Sequence, residues 1–228
     1  MVAEKQLPEV ELLPLEETDL VTIAAGNLQA FPTFYAPLEP EANRPDHDTR
    51  VRRQATRLRK VIANPLILGV KAVLASGPEK GKLVGHALWH RPGAPVVNLK
   101  KRLTSPEEET EEEKESWEGV DTEKWNGKWG EWDVTRARIM KGVPHWYIAP
   151  LWVIPGYQGL GIGSKLMQQV LDLADAEEPT TPVYLEASPS TSKPPRTGRR
   201  CTKSAALSSR AEEIAVHLHI PDQVGARE

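Results

Sequence analysis

The sequence of 228 residues predicts an α/β fold, and three observations support this prediction. Two apolar runs, 66–75 and 82–90, flank the turn "SGPEKG" and are typical of a β-hairpin. A third apolar run, "HWYIAPLWV" (145–153), leads into a glycine-rich turn and then into a helical pattern. After that helix, "PVYLEAS" (182–188) indicates another buried strand. Strands that alternate with helices in this way are typical of α/β domains.

The segment before the hairpin predicts one strand and two helices. The strand is "VELLPL" (10–15), and the first helix is 18–31, which Thr18 or Asp19 would cap. The second helix lies in "HDTRVRRQATRLRKVIANP", where Pro65 would end it. The apolar residues of this helix recur at steps of three and four: Val51, Ala55, Leu58 and Ile62.

Residues 91–142 interrupt this pattern and are interpreted as an insertion. The acidic run "SPEEETEEEKES" (105–116) predicts a solvated loop or an exposed helix, because like charges repel one another and bury nothing. The spacing of Trp125, Trp129 and Trp132 would place these three side chains on one helix face. We expect them to be packing residues, and the alternative is an aromatic wall that faces a substrate.

The run 145–153 is apolar throughout, as in a strand that is buried on both faces. Pro150 conflicts with a regular central strand, because proline has no N–H for the hydrogen-bond ladder. We therefore expect a bulge or a splay of the sheet at Pro150.

The stretch "IPGYQGLGIGSKL" (154–166) has three of its four glycines within the five positions 159–163, where a helical pattern begins. A strand, a glycine turn and a helix together direct free backbone N–H groups at an anion. The turn is not a P-loop, because Lys165 follows Ser164 instead of preceding it. It is not a dinucleotide fingerprint either, because Ser164 stands where the third glycine is needed.

The turn contains Q-x-x-G-x-G, formed by Gln158, Gly161 and Gly163, directly after an apolar strand. It resembles the acetyl-CoA-binding signature of the GNAT N-acetyltransferase superfamily, and the order of strands and helices over about 7–188 is similar too. The resemblance implies a domain at 1–188 with the GNAT acyl-CoA N-acyltransferase fold. That fold is a mixed, mostly antiparallel sheet flanked by helices, here missing its last strands.

The resemblance also implies how acetyl-CoA, the cosubstrate, would bind. The pyrophosphate would lie on the N–H groups of residues 159–164, and the pantetheine arm would pair with the fourth strand, in a gap between the fourth and fifth strands. No metal is implied. The residues implied in binding are Leu151, Val153, Gln158, Gly159, Leu160, Gly161, Ile162, Gly163 and Ser164.

The catalytic groups are less clearly marked. The N–H of Leu151 is implied as the donor to the thioester carbonyl. Ala149 stands where related enzymes often carry a basic residue, so His145, the nearest titratable group, is our candidate base, with His86 and His90 as weaker candidates. The tyrosine that usually serves as the acid has no counterpart after Ser188, and Tyr184 lies inside a strand.

The tail 189–228 is rich in Ser, Pro and Arg and is predicted to be disordered, with a short helix around 211–220. Codons for Gly198–Leu207, "GRRCTKSAAL", can be chosen so that a reading two bases later gives Ala-Leu-Tyr-Glu-Lys-Cys-Gly-Phe, which resembles the missing tyrosine helix. We hypothesise that the tail comes from a shifted frame, which would leave the fifth strand as an exposed edge. The nucleotide sequence of the gene tests this hypothesis.

Taken together, these observations predict an N-acetyltransferase that acts on a primary amine of a small molecule or a peptide. The alternatives are a catalytically impaired acyl-CoA-binding module, from a pseudoenzyme or a mis-spliced product, and a partner-binding protein that uses the acidic run and the tryptophans.

A net charge of −3 argues against nucleic acid as a partner, and no stretch is apolar enough for a membrane span. The single cysteine, Cys201, and the lack of a secretory pattern predict the cytoplasm, with the nucleus as an alternative.

Overall fold

A six-stranded sheet forms the centre of the computed structural model, which describes residues 8–93, 99–101, 109–177, 179–187 and 214–218. For 186–187 and 214–218 the description is limited to the backbone. The strands neighbour one another in chain order, and every pair is antiparallel except β4 and β5, which are parallel. They are β1 (Val10–Pro14), β2 (Ile67–Leu74), β3 (Leu83–His90), β4 (Trp146–Val153), β5 (Val183–Ala187) and β6 (Ile214–Leu218). The mixed, mostly antiparallel sheet and the hairpin agree with the sequence prediction.

Helices cover both sides of the sheet. They are α1 (Leu20–Ala30), α2 (Pro32–Tyr35), α3 (His47–Ile62), α4 (Glu111–Ser116), α5 (Thr122–Met140) and α6 (Ile162–Ala176). The buried face of α6 packs against apolar strand residues on one side of the sheet. Helices α1, α3 and α5 share a second core with Leu88 on the other side. Most of the predicted helices are confirmed within a few residues of their expected ends.

Asp19 precedes α1 but does not cap it, so the expected capping hydrogen bond is wrong. Its carboxylate instead accepts a hydrogen bond from the Glu16 N–H at 2.8 Å and another from Lys71 Nζ at 2.7 Å. Lys71 extends from β2 on the side of the sheet that α1 covers. The carboxylate therefore connects the start of α1 to the sheet.

The insertion is held to α3 by charge. Part of the acidic run forms the short helix α4, which confirms the exposed helix over 111–116, while 102–108 lie outside the described residues. Ion pairs join α3 to α4 and to the turn after it: Arg52–Glu115 at 2.7 Å, Arg53–Glu118 at 2.5 Å, Arg59–Glu112 at 3.2 Å and Lys60–Glu113 at 2.5 Å. The acidic run is therefore complementary to the basic face of α3.

The tryptophans of the insertion are packing residues, as predicted. Trp125 and Trp129 are buried, and the Trp125 indole N–H donates to the Leu99 carbonyl at 2.5 Å. Trp132 stacks on Phe34 with ring centroids 5.2 Å apart. Since Phe34 belongs to α2, the aromatic face of α5 joins the insertion to the segment between α1 and α3.

Strand β4 contains the expected bulge. The pairing with β3 runs regularly from Gly85–Val153 to Ala87–Leu151 and then shifts, so that Trp89 pairs with Ile148. One extra residue of β4, at Ala149–Pro150, is accommodated at this point. The bulge places the Trp152 side chain on the α1 side of the sheet and Val153 on the α6 side.

The C-terminal part of the described chain corrects two expectations. Residues 214–218 form β6 rather than part of a helix, and β6 pairs with β5 from Val183–Leu218 to Ala187–Ile214. Strand β5 is therefore not an edge of this sheet. The alternation of Ile214, Val216 and Leu218 with Ala215 and His217 is a period-two pattern, which favours a strand. Residues 188–213 and 219–228, where disorder and the shifted frame are predicted, lie outside the described residues.

Candidate acyl-CoA site

The glycine turn between β4 and α6 has the backbone geometry that only glycine adopts easily. Gly156, Gly159 and Gly161 have φ values of 89°, 73° and 77°. Gly161 is the residue before α6, and no side chain caps this helix. The first N–H groups of α6 thus have no partner within the helix and face outward at its positive end.

Gln158 anchors the turn to the strand. Its side-chain amide donates to the Val153 carbonyl at 2.8 Å. The side chain predicted to bind the cosubstrate is therefore used to fix the path of the loop. Nearby, the Tyr157 hydroxyl donates a hydrogen bond to Glu79 in the turn of the β2–β3 hairpin. These two contacts hold the turn in position before any ligand arrives.

A gap opens between β4 and β5 beside this turn. The parallel pairing runs from Trp146–Val183 to Ile148–Leu185, although β4 continues to Val153 and β5 to Ala187. The expected splay is therefore confirmed, and it begins at the bulge.

The backbone of Leu151 faces this gap. The Ile154 N–H donates to the Val84 carbonyl on β3 at 3.0 Å, and the register pairs Trp152 with His86. In an antiparallel ladder, alternate residues direct their N–H and C=O groups to opposite sides, so those of Leu151 and Val153 point away from β3. An extended ligand in the gap could pair with them as an added strand would.

Comparison with known proteins assigns this arrangement to a family. Residues 39–193, more than half of the chain, match the acetyltransferase (GNAT) family. The chain belongs to the GNAT family. The matched segment contains the bulged strand, the glycine turn and α6, so the GNAT assignment and the geometry concern the same part of the molecule.

Solved structures from several organisms are similar to this chain. A protein described as histone acetyltransferase HPA2 and related acetyltransferase, from Corynebacterium glutamicum, is 21% identical with a TM-score of 0.44, covering 79% of this chain and 77% of that chain. NAA60 of Arabidopsis thaliana with a bisubstrate analogue is 16% identical with a TM-score of 0.43, covering 78% and 74%. A GNAT family acetyltransferase of Brucella melitensis with acetyl-CoA is 16% identical with a TM-score of 0.37, covering 78% and 75%. No curated protein matches the sequence.

The predicted cosubstrate residues come together in this GNAT domain. The backbone of Leu151 and Val153 borders the gap, and the turn 159–161 and the start of α6 close its end. Ile162 is buried in the core, so only its backbone can take part. A Cβ built on Gly163 would lie 3.9 Å from both Leu151 Cδ2 and Val153 Cγ2, which places the open side of this glycine toward β4.

His145 lies at the far end of β4 from the glycine turn. Its Nδ1 is 2.7 Å from the Val143 carbonyl oxygen, and its ring is 5.9 Å from that of Tyr184. Six residues of extended chain separate His145 from Leu151, a distance of about 20 Å. The role of His145 as base stays a prediction, and this separation counts against direct contact with an acyl group near Leu151.

His90 and His86 lie on β3, on the side of the sheet that α1, α3 and α5 cover. Both are buried, at 3% and 0% exposure. Burial lowers the pKa of His86 to about 3 and, with the charge of Arg136 adding to it, lowers the pKa of His90 to about 4. The sequence alone does not distinguish these two histidines, because only the folded chain brings His90 to Ala149 and Pro150 at the bulge.

Tyr184 is fully buried in β5, with its ring 5.8 Å from that of Tyr147. It pairs with β4 below the splay, outside the open part of the gap. Its position agrees with the expectation that it does not replace the missing tyrosine.

Among the described residues, no group of three or more His, Cys, Asp or Glu could hold a metal ion. No helix in the described ranges is both long and apolar enough to cross a membrane.

Proposed function

We propose that this protein transfers an acetyl group from acetyl-CoA to a primary amine of a small molecule or a peptide. The observation that carries the proposal is the meeting of two backbone features. The uncapped start of α6 offers N–H groups to an anion, and it lies at the end of the gap beside Leu151. A long ligand with a phosphate at one end and an amide-containing arm fits both features at once.

The acyl group would lie beside Leu151. When the amine attacks the thioester carbon, negative charge develops on the carbonyl oxygen, and the Leu151 N–H is oriented to stabilise it. The C–N bond forms and the C–S bond breaks, so that CoA leaves as the thiol. Each charge-assisted hydrogen bond at the turn would contribute about 1.5–3 kcal/mol to binding, so a few of them support micromolar affinity.

A catalytically impaired acyl-CoA-binding module is the second candidate. Ala149 provides no titratable side chain at the bulge, and Tyr184 lies below the splay. Both observations leave binding intact while weakening the case for proton transfer.

We further propose a cytoplasmic location, with the nucleus as the alternative, because one cysteine and a net charge of −3 suit a reducing compartment without a polyanionic partner.

Two measurements on the full chain distinguish these functions. Calorimetry with acetyl-CoA tests binding, and release of CoA thiol in the presence of a panel of primary amines tests transfer. Binding with amine-dependent release supports the transferase. Binding without release for any amine supports the module, and absence of binding overturns both.

A further inference from the structure

A small cavity lies at the β4 bulge, on the side of the sheet that α1, α3 and α5 cover. Its lining includes Leu88, His90, Trp129, Tyr147, Ala149 and Pro150. Ala149 and Pro150 immediately precede Leu151, whose backbone borders the gap. The cavity therefore adjoins the position proposed for the acyl carbon, and it has room for about one water-sized group.

His90 is the titratable side chain of this lining whose hydrogen bonding is half complete. The Ala149 carbonyl accepts a hydrogen bond from the His90 ring, whereas Nδ1 is buried with no hydrogen-bond partner. The donor is therefore Nε2–H, and this assignment leaves a lone pair on Nδ1. The ring is fixed further by stacking on Tyr147, with centroids 5.3 Å apart.

An unpaired buried nitrogen beside a cavity indicates a missing partner. Leaving a buried acceptor without a hydrogen bond costs about 1–3 kcal/mol, and nearly all such groups in proteins are satisfied. The space next to His90 admits one small group, which must donate a hydrogen bond to complete the pairing. An amine nitrogen has such a donor.

The charges around His90 keep its ring neutral at pH 7. Burial is the largest cause of its lowered pKa, and the Arg136 guanidinium acts in the same direction. Asp133 acts in the opposite direction, but it is paired with Arg136 at 2.8 Å and with Lys100 at 2.5 Å. The neutral ring can accept a proton from a reacting group, and a weakly basic ring gives that proton up quickly.

We propose that His90 is the catalytic base of the acyl transfer, with the amine nitrogen in the cavity as a hydrogen-bond donor to Nδ1. This assignment rests on the proposed transferase function. The amine enters neutral and attacks the thioester carbon, and the C–N bond forms. The proton that the nitrogen loses goes to His90 Nδ1, the C–S bond breaks with its electron pair on sulfur, and the proton passes to the thiolate.

The size of the cavity also restricts the acceptor. Room for about one water-sized group admits an unhindered primary nitrogen and excludes a branched or secondary one. The acceptor class is therefore a primary amine on an unbranched carbon.

His86 provides a matched control. It lies on the same strand and the same side of the sheet, is fully buried, and has two ring nitrogens without hydrogen-bond partners. Its ring packs against Trp152 with centroids 4.8 Å apart, and it does not line the cavity at the bulge. A loss of activity that came only from disturbing a buried histidine would affect both positions.

The test compares His90→Gln, His90→Gly and His86→Gly with the parent chain. We expect kcat/KM for a linear primary amine to fall about 100-fold or more in His90→Gln, with acetyl-CoA affinity within twofold of the parent. Added imidazole should restore turnover in His90→Gly and leave His86→Gly unchanged. A thermal unfolding midpoint for each variant identifies one that fails to fold, in which case His90→Gln alone decides.

Three results would overturn the assignment. Parent-like turnover in His90→Gln would show that His90 is not the base, and the proposed transferase function would still stand. Equal rescue of both glycine variants by imidazole would mean that imidazole acts by filling the space that the deleted ring leaves, and not as a base. A parent chain that binds acetyl-CoA but acetylates no amine overturns the transferase function and this assignment together.

Discussion

The two sides of the sheet are stabilised in different ways. On one side, α6 packs apolar residues against apolar strand residues: Ile162, Leu166, Val170 and Ala174 of the helix lie on Val84, Ala87, Trp89, Trp146 and Ile148. On the other side, the buried residues include charged and polar groups contributed by helices, strands and a loop: Asn27, Glu39, Gln54, Arg57, Lys71, His86 and His90. The stability of the α6 side therefore depends on the burial of apolar side chains. The stability of the other side depends also on hydrogen bonds and ion pairs between its buried polar groups.

This difference separates two tasks of the domain. The apolar α6 side holds the glycine turn at the end of the gap, and the packing of apolar side chains is sufficient for this task. The polar side carries the insertion, the histidines and the cavity at the bulge, where the chemistry is proposed. Because each unpaired buried polar group is costly, the polar side should respond more strongly to single substitutions.

The largest expected effect comes from Arg57→Met on the polar side. The Arg57 guanidinium lies 3.5 Å from Glu39, donates to the Ser116 carbonyl, and sits 5.1 Å from the ring centroids of both Trp117 and Trp125. Breaking a buried pair of this kind costs about 3–5 kcal/mol. Urea unfolding should detect this loss in the free energy of unfolding.

Arg52→Met is the control for this substitution. Arg52 lies on the same helix and pairs with Glu115, but the two side chains are 55% and 39% exposed. An exposed pair contributes about 0–1 kcal/mol, so the variant should stay within that range of the parent. Equal losses for Arg52→Met and Arg57→Met would contradict the distinction between buried and exposed charge.

An intermediate effect is expected from acid. The pKa of His86 is about 3 in the folded chain because burial opposes its charged form, while an unfolded histidine titrates near 6.5. The unfolded chain then binds more protons below pH 6.5, so stability is constant above that pH and declines as the pH falls toward 3. Between pH 6.5 and pH 4 the decline due to His86 is about 3 kcal/mol.

His86→Phe sharpens this test, since the ring size is similar and the titrating group is lost. Unfolding free energies measured from pH 7 to pH 4.5 should fall less steeply in the variant than in the parent. Parallel curves would mean that His86 does not set the acid response of the polar side. Carboxylates paired in the folded chain, such as Glu112 and Glu115, add their own losses at lower pH.

The smallest effect is predicted for the α6 side, where Gly163→Ala should change binding and stability in opposite directions. The added Cβ would make ordinary contacts at 3.9 Å in the free protein, and alanine favours a helix over glycine by up to about 1 kcal/mol. Acetyl-CoA affinity should nevertheless fall about tenfold or more, because the added methyl group would keep the ligand from closing on the N–H groups of the turn, and one charge-assisted hydrogen bond is worth about 1.5–3 kcal/mol. Calorimetry and thermal unfolding measure the two changes.

Gly77→Ala controls for the general cost of changing a glycine in this protein. Gly77 lies in the β2–β3 turn with φ of 84° and open space around it. This variant should lose stability through backbone strain and keep its affinity for acetyl-CoA. If Gly163→Ala keeps parent affinity as well, the turn does not hold the cosubstrate.

The sequence predicted the α6 side almost completely. The spacing of Ile162, Leu166, Val170 and Ala174 identifies the buried face of a helix, and glycines before it identify the turn. Pro150 predicted the bulge because its missing N–H is a local property. These features depend on neighbours in the chain, so they can be read without knowing the fold.

The polar side could be predicted less well, because its contacts join distant segments. Along the chain His145 is closer than His90 to the bulge, whereas in the folded chain the His90 ring lies against Ala149. The acidic run read as solvated because its partners, the basic residues of α3, lie some 50 to 60 positions earlier, as in the Arg59–Glu112 pair. The error at β6 is of a different kind, since the period-two alternation over 214–218 is a local signal that favours a strand.

The bulge at Ala149–Pro150 has a consequence for how this strand can change by insertion or deletion. In a strand, odd and even positions face opposite sides, and one extra residue reverses that parity for everything after it. It directs Trp152 to the α1 side, where its indole N–H reaches Asn27 at 2.8 Å and its ring lies over Gly26. Removing one residue would turn the Trp152 side chain to the α6 side of the sheet and those of Leu151 and Val153 to the α1 side. In this part of the molecule, the number of residues therefore decides which side chains reach each side of the sheet.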